Sequence, residues 1–369
     1  MKKSIYIILV LVLTFILISI PACGKTGTES EAGSSEVLVE ESGPDVPGLL
    51  LACIMGDIEE VKRILENTDI NSTNAIGETA LIMATFFGHI RIIELLMTRG
   101  ADIDAANDNG ETALMVAADK GNTKILEFLI DNGADIDKTN NGGETALMVA
   151  ADKGDIEIAE LLITNGADID ATNNNTRIET ALMVAAEKGN TKILEFLIEN
   201  GADIDKTNDG GVTALMIAAE KGNTKVLEFL IENGADIDKT DDGGETALMT
   251  AIFYGHLRIV EFLIYKDVDI NVVSDSGMTA LMYASRQGYV SILKLLIDKN
   301  PDVNAKNSAG NTSLMYSSSS GHIDIVELLI ANNADVNAKN NYGKTALKMA
   351  AIKGYNEIIS LLEEAGAQE

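Results

Sequence analysis

The chain holds 369 residues, and its 57 acidic side chains outnumber 28 basic ones, a formal net charge of −29. A surface this acidic repels phosphate backbones, which disfavours nucleic acid as a partner, and at low ionic strength it steers basic partners inward. At this length the sequence is long for one compact core, a ceiling that a stack of units touching only their neighbours does not have.

Residues 1–23 carry the features of a secretory signal peptide. Lys2 and Lys3 give a basic start, Ile5 to Ile20 is almost unbroken apolar sequence, and Ile20-Pro21-Ala22-Cys23 follows. That ending resembles a bacterial lipobox, which runs aliphatic, small, small, Cys. The resemblance implies that Cys23 carries a lipid and becomes the mature N-terminus, with Pro21 departing from the usual small residue. The alternative is an uncleaved membrane anchor, because Ile5 to Ala22 is just long enough to span. The cysteine at the boundary favours the lipoprotein, and either way the rest of the chain is tethered beyond the inner membrane. Residues 23–45 then turn to Gly, Ser, Thr and Glu, a spacer unable to bury a core and spanning roughly 25 Å as a flexible chain. Gly24 is not the Asp that, by analogy with such lipoproteins, retains them at the inner membrane, so an outer-membrane location is expected.

From Val46 onward one unit recurs. The Thr that opens each copy falls at Thr79, Thr112, Thr145, Thr180, Thr213, Thr246, Thr279, Thr312 and Thr345, every 33 residues except for 35 between Thr145 and Thr180. Within one copy, Thr213 precedes Ala-Leu-Met-Ile-Ala-Ala and can cap a short helix, which Gly222 ends. Val226, Leu227, Phe229, Leu230 and Ile231 recur at helical spacing and predict a second short helix, stopped at Gly234. Ala235-Asp-Ile-Asp with Asp241 to Gly244 predicts an extended segment turning back on itself. Helices this short are below the ~12–15 residues at which isolated helices are even marginal, so each copy needs its neighbours.

This pattern resembles the ankyrin repeat, with its G-x-TPLH-x-AA-x-x-G and GAD-x-N signature. The resemblance covers Val46 to Glu369 and implies an all-α ankyrin-repeat solenoid of about ten stacked repeats, each a helix-turn-helix with a β-hairpin finger. Residues 46–77 form a degenerate N-terminal cap and residues 78–369 nine further repeats. The chain writes Thr-Ala-Leu-Met for Thr-Pro-Leu-His, placing Met115, Met148, Met183, Met216, Met249, Met282 and Met315 between stacked helices as adaptable filler. Lys348 replaces the Met in the last copy, as a terminal unit facing water requires. Two extra residues enlarge the turn at Ala171 to Ile178, whose tip is expected to protrude.

No constellation of catalytic residues, metal ligands or cofactor contacts stands out, and the chain reads as non-enzymatic. His89, His256 and His322 each follow a Gly, one repeat or more apart, and cannot share a metal. Asp205 to Gly210 starts like a calcium loop, but its twelfth position is Met216 rather than a bidentate Glu, and Met148 fails likewise after Asp137. Turn chemistry accounts for these aspartates. Cys53 takes a small-residue position in the first copy and reads as a packed hydrophobe. Tyr283 and Tyr316 align with Val116 and Ile217 and read as core.

Partners of ankyrin proteins usually dock on the concave side, on finger tips and the end of the first helix. That implies the pair before each Gly, such as Asp119-Lys120, Asp152-Lys153 and Arg286-Gln287. Phe86-Phe87 and Phe253-Tyr254 replace the charged pair by aromatics, the residue type interfaces use as anchors. Five repeats apart, they cannot line one small pocket. The expected function is a membrane-tethered scaffold binding a protein, one with a basic surface, through these residues. A structural spacer of the envelope without a dedicated ligand is the rival, favoured by the near-identity of the middle repeats. A host-interacting ankyrin protein is a third reading, against which the lipid-type signal speaks.

Overall fold

The computed structural model describes residues 45–172 and 179–368. The signal segment, Cys23 and nearly all of the spacer lie outside the described residues, as does most of the Ala171–Ile178 insertion. The described residues form twenty α-helices of seven to ten residues, taken in consecutive pairs, and no strand. They divide into two compact units, one ending at Asp168 and one beginning at Ile169.

The recurring threonine starts the first helix of nine pairs. Thr79, Thr112, Thr145, Thr180, Thr213, Thr246, Thr279, Thr312 and Thr345 all have extended backbone, and each hydroxyl accepts from the amide three residues on at 3.2–3.4 Å. That bond satisfies one of the helix's orphan donors. From Gly154 on, the first helices end on a glycine in the left-handed region, as Gly222 does at φ 75°.

Packing follows the repeat. In the first unit the first helices at 46–55, 80–86, 113–119 and 146–153 lie side by side, and the second helices pack behind them. The second unit repeats this with six pairs, from Ala181–Lys188 to Asn356–Glu364. The seven methionines that replace the family histidine are all buried, none more than 3% exposed. The alanines beside them let the helices approach closely. Lys348, at the same position in the last copy, is exposed, as a terminal face requires.

The β-hairpin fingers expected from the sequence are reduced to isolated bridges. Thr73 pairs with Thr79, Ala106 with Thr112, Thr240 with Thr246, and Val273 with Thr279. Side chains have taken the amides that a ladder would use. Asn107 Oδ1 accepts from the Asn109 and Glu111 amides at 3.0 and 2.9 Å, and Asp241 Oδ1 does the same for Gly243 and Glu245.

The Asp-x-Asp motif has a second task. Its first carboxylate accepts from the amide two residues on, while its second reaches the next copy. Asp104 accepts from the Asp135 amide and Asp137 from Asp168, both at 2.9 Å. In the second unit Asp205 accepts from Asp236 and Asp238 from Asp269. The motif therefore staples successive turns.

The N-terminal helix pair carries its charges outward, with Lys62–Glu59 and Arg63–Glu60 pairs at 2.7 Å on the exposed side. Such pairs contribute little to stability. Cys53 is fully buried, and burial pushes its thiol up to about 12. Its modification by a maleimide is expected to be slow in the folded chain and to become fast only in denaturant, read by mass spectrometry of the Cys53 peptide. Rapid labelling under native conditions would show that the first helix pair opens locally.

Candidate functional site

Three first helices of the first unit, at 80–86, 113–119 and 146–153, form one wall of a groove of about 630 Å³. Their floor is aliphatic, made by Met83, Met115, Val116, Met148 and Val149. The repeat generates it: the third and fourth residues after each threonine face the same way in successive copies.

Carboxylates line the hairpin side. Glu78, Glu111 and Glu144 each occupy the residue just before the capping threonine, so the 33-residue period sets them in a row. Asn107 Nδ2 donates to Glu111 Oε2 at 2.8 Å and to Glu78 Oε1 at 3.2 Å, tying the first two together. Glu78 Oε2 is buried and makes no hydrogen bond among the described residues. Desolvation raises the pKa of Glu78 above the usual carboxylate range, the Asn107 bond opposes this, and the charges of Glu111 and Asp108 add to it.

The opposite side is aromatic and mixed in charge. Phe86 and Phe87 sit at the end of the first wall helix with ring centroids 5.1 Å apart, 47% and 36% exposed. Lys120 Nζ lies 4.0 Å from the Phe86 ring centroid. Asp119 bridges Lys120 and Lys153 at 2.9 Å each, and those two bonds, Lys153 first, hold its carboxyl below the usual range. Among the lining residues five carboxylates (Glu78, Glu111, Glu144, Asp119 and Asp152) face one ammonium, that of Lys153.

The sequence-predicted residues divide between the units. Phe86 and Phe87 line the groove of the first. In the second, Phe253 and Tyr254 end the helix Ala247–Tyr254, their rings edge to face at 5.1 Å and both exposed. Gln287 Nε2 donates to the Phe253 backbone carbonyl at 3.2 Å, which brings Gln287, though neither ring, to this helix end. The Tyr254 ring stacks on His256, and Phe253 also meets Tyr283 edge to face at 6.3 Å. Cys23 lies outside the described residues.

Tyr283 is buried, as expected of core, and its hydroxyl donates to Glu245. Burial and that carboxylate push its phenol up. Tyr316, expected in the core, is instead half-buried. Its hydroxyl accepts from Asn307 Nδ2 at 2.7 Å, which keeps the polar end at the hairpin side. Each histidine ring bonds a carbonyl of the preceding copy through Nε2, His89 to Ile54, His256 to Glu220 and His322 to Arg286. Among the described residues no three His, Cys, Asp or Glu side chains are grouped to hold a metal.

The profile described as ankyrin repeats, three copies to a match, fits residues 49–140, 95–173, 147–241, 215–307 and 301–368. No curated protein matches the chain. With overlapping matches running from residue 49 to 368, a capping threonine on nine helix pairs and short helices that stack copy on copy, the chain belongs to the ankyrin-repeat family, whose members are generally non-catalytic modules of protein interaction.

Proposed function

We propose that the chain is a ten-repeat scaffold, held at the bacterial outer membrane by a lipid on Cys23, that binds a protein partner without catalysing a reaction. The groove of the first unit carries this reading. It combines an aliphatic floor, exposed Phe86 and Phe87 and a row of carboxylates. Phe253, Tyr254, Arg286 and Gln287 supply a further contact surface in the second unit. Exposed aromatics beside a cation are the side chains that interfaces use as anchors.

Crosslinking in intact cells tests it. A saturable crosslinked partner is expected for the full chain and is captured several-fold less when Phe86 and Phe87 are replaced by Ala. Replacing Phe253 and Tyr254 by Ala weakens capture further. A partner yield unchanged in all four substitutions removes the aromatics from the reading, and no saturable partner at all favours the spacer. The tether is read separately: Cys23→Ser is expected to lose incorporation of an alkyne-labelled fatty acid and to leave the membrane fraction.

A further inference from the structure

The chemistry of the groove specifies what it accepts. Glu78 and Phe86 stand at opposite ends of the helix Ala80–Phe86, whose seven residues span about 10 Å, so with the extended Thr79 the two ends are about 12 Å apart, with Met83 and Val116 between them. An occupant that neutralises one end must satisfy Glu78 and Glu111, both already turned to Asn107 and still short of a donor at Glu78 Oε2. The other end offers aromatic and aliphatic surface. Along an extended chain, about 12 Å is three or four residues.

We propose, resting on the scaffold reading above, that the groove of the first unit receives an extended segment of another protein in which a lysine or arginine stands three or four residues from a bulky apolar side chain. The cation donates to Glu78 and Glu111 between the first hairpins, and the apolar residue packs on Phe86 and Met83. Charge complementarity selects this occupant. Counting Lys120 over Phe86 with Lys153, five carboxylates stand against two ammoniums, both at the aromatic end on Asp119, so an acidic segment is repelled at the Glu78 end and a neutral one leaves Glu78 Oε2 buried without a donor. The raised pKa of Glu78 agrees, because a charge that burial disfavours gains most from a cation brought beside it.

A display library of random short peptides, panned on the full chain, tests the inference. Enriched peptides are expected to carry Lys or Arg at that distance from a bulky apolar residue. The best of them, synthesised and labelled, is expected to bind Glu78→Gln/Glu111→Gln at least about tenfold more weakly, and Val149→Arg not at all. Glu78→Gln is also expected to raise the thermal midpoint at neutral pH. An acid whose folded pKa lies above its unfolded one loses stability as pH rises through that range, and the amide removes the loss while keeping an acceptor for Asn107. Weaker binding with higher stability is a pattern that a merely structural residue does not give. Peptides blocked by Val149→Arg but lacking a basic residue, or indifferent to the two amides, overturn this inference and leave the groove reading in place. Peptides indifferent to Val149→Arg, or no enrichment at all, overturn both.

Discussion

Leu227→Ala is expected to lower the stability of the second unit by about 2–5 kcal/mol, the usual cost of emptying a fully buried leucine site. Leu362→Ala makes the same change at an equally buried position. The two differ in their neighbours. The helix bearing Leu227, Thr224–Glu232, packs against second helices on both sides, at Thr191–Glu199 and Leu257–Tyr265. The helix bearing Leu362, Asn356–Glu364, has one second helix beside it among the described residues, Ile323–Ala331. None of these helices reaches the length at which a helix stands alone, so each persists through its neighbours. An internal lesion therefore weakens two interfaces and shifts the main urea transition, read by circular dichroism. The terminal one lets a single pair melt early, as a low-urea shoulder. Equal shifts of one sharp transition would show that the unit melts all at once, without nearest-neighbour propagation.

Much of this arrangement is legible in the sequence because one period carries it. The threonine every 33 residues caps a helix in all nine copies, and the methionine three residues later is buried in each copy that has one, because both depend on local backbone and a fixed place in the stack. The fingers were less legible. Asp241 to Gly244 reads as the tip of a two-stranded hairpin, yet Asp241 takes the amides itself and leaves single bridges. The Asp-x-Asp pair is recognisable as turn chemistry, but its acceptor role for an amide 31 residues further on is invisible within one copy.

Glu78, Glu111 and Glu144 are hidden in the sequence for a similar reason. An acid before a helix cap reads as solvated charge, favourable near a helix N-terminus, and only the stacking of copies aligns three of them over an aliphatic floor. The signal was there in the form of an acid at one fixed offset from the period. The Phe86-Phe87 pair is legible because it breaks the repeat. The glutamates are hidden because they keep it.

Gly222→Ala is expected to cost about 1.5–3.5 kcal/mol, and the structure says how that loss divides. Gly222 has φ 75°, where an alanine costs about 1–2 kcal/mol. Its added Cβ would also stand 2.7 Å from the His256 ring, which must move and give up its bond to the Glu220 carbonyl at 2.8 Å, about another 0.5–1.5 kcal/mol. Gly354 supplies the comparison. It ends the first helix of the last pair at φ 77°, and nothing lies within 4 Å of where its Cβ would be. Gly354→Ala should thus show the backbone cost alone. In a His256→Ala background, Gly222→Ala should fall to the same value, since the ring that blocked the new methyl is gone. A Gly222→Ala penalty unchanged by removing His256 would mean that backbone strain is the whole effect, and that the residue after each glycine does not lock one copy to the copy before it.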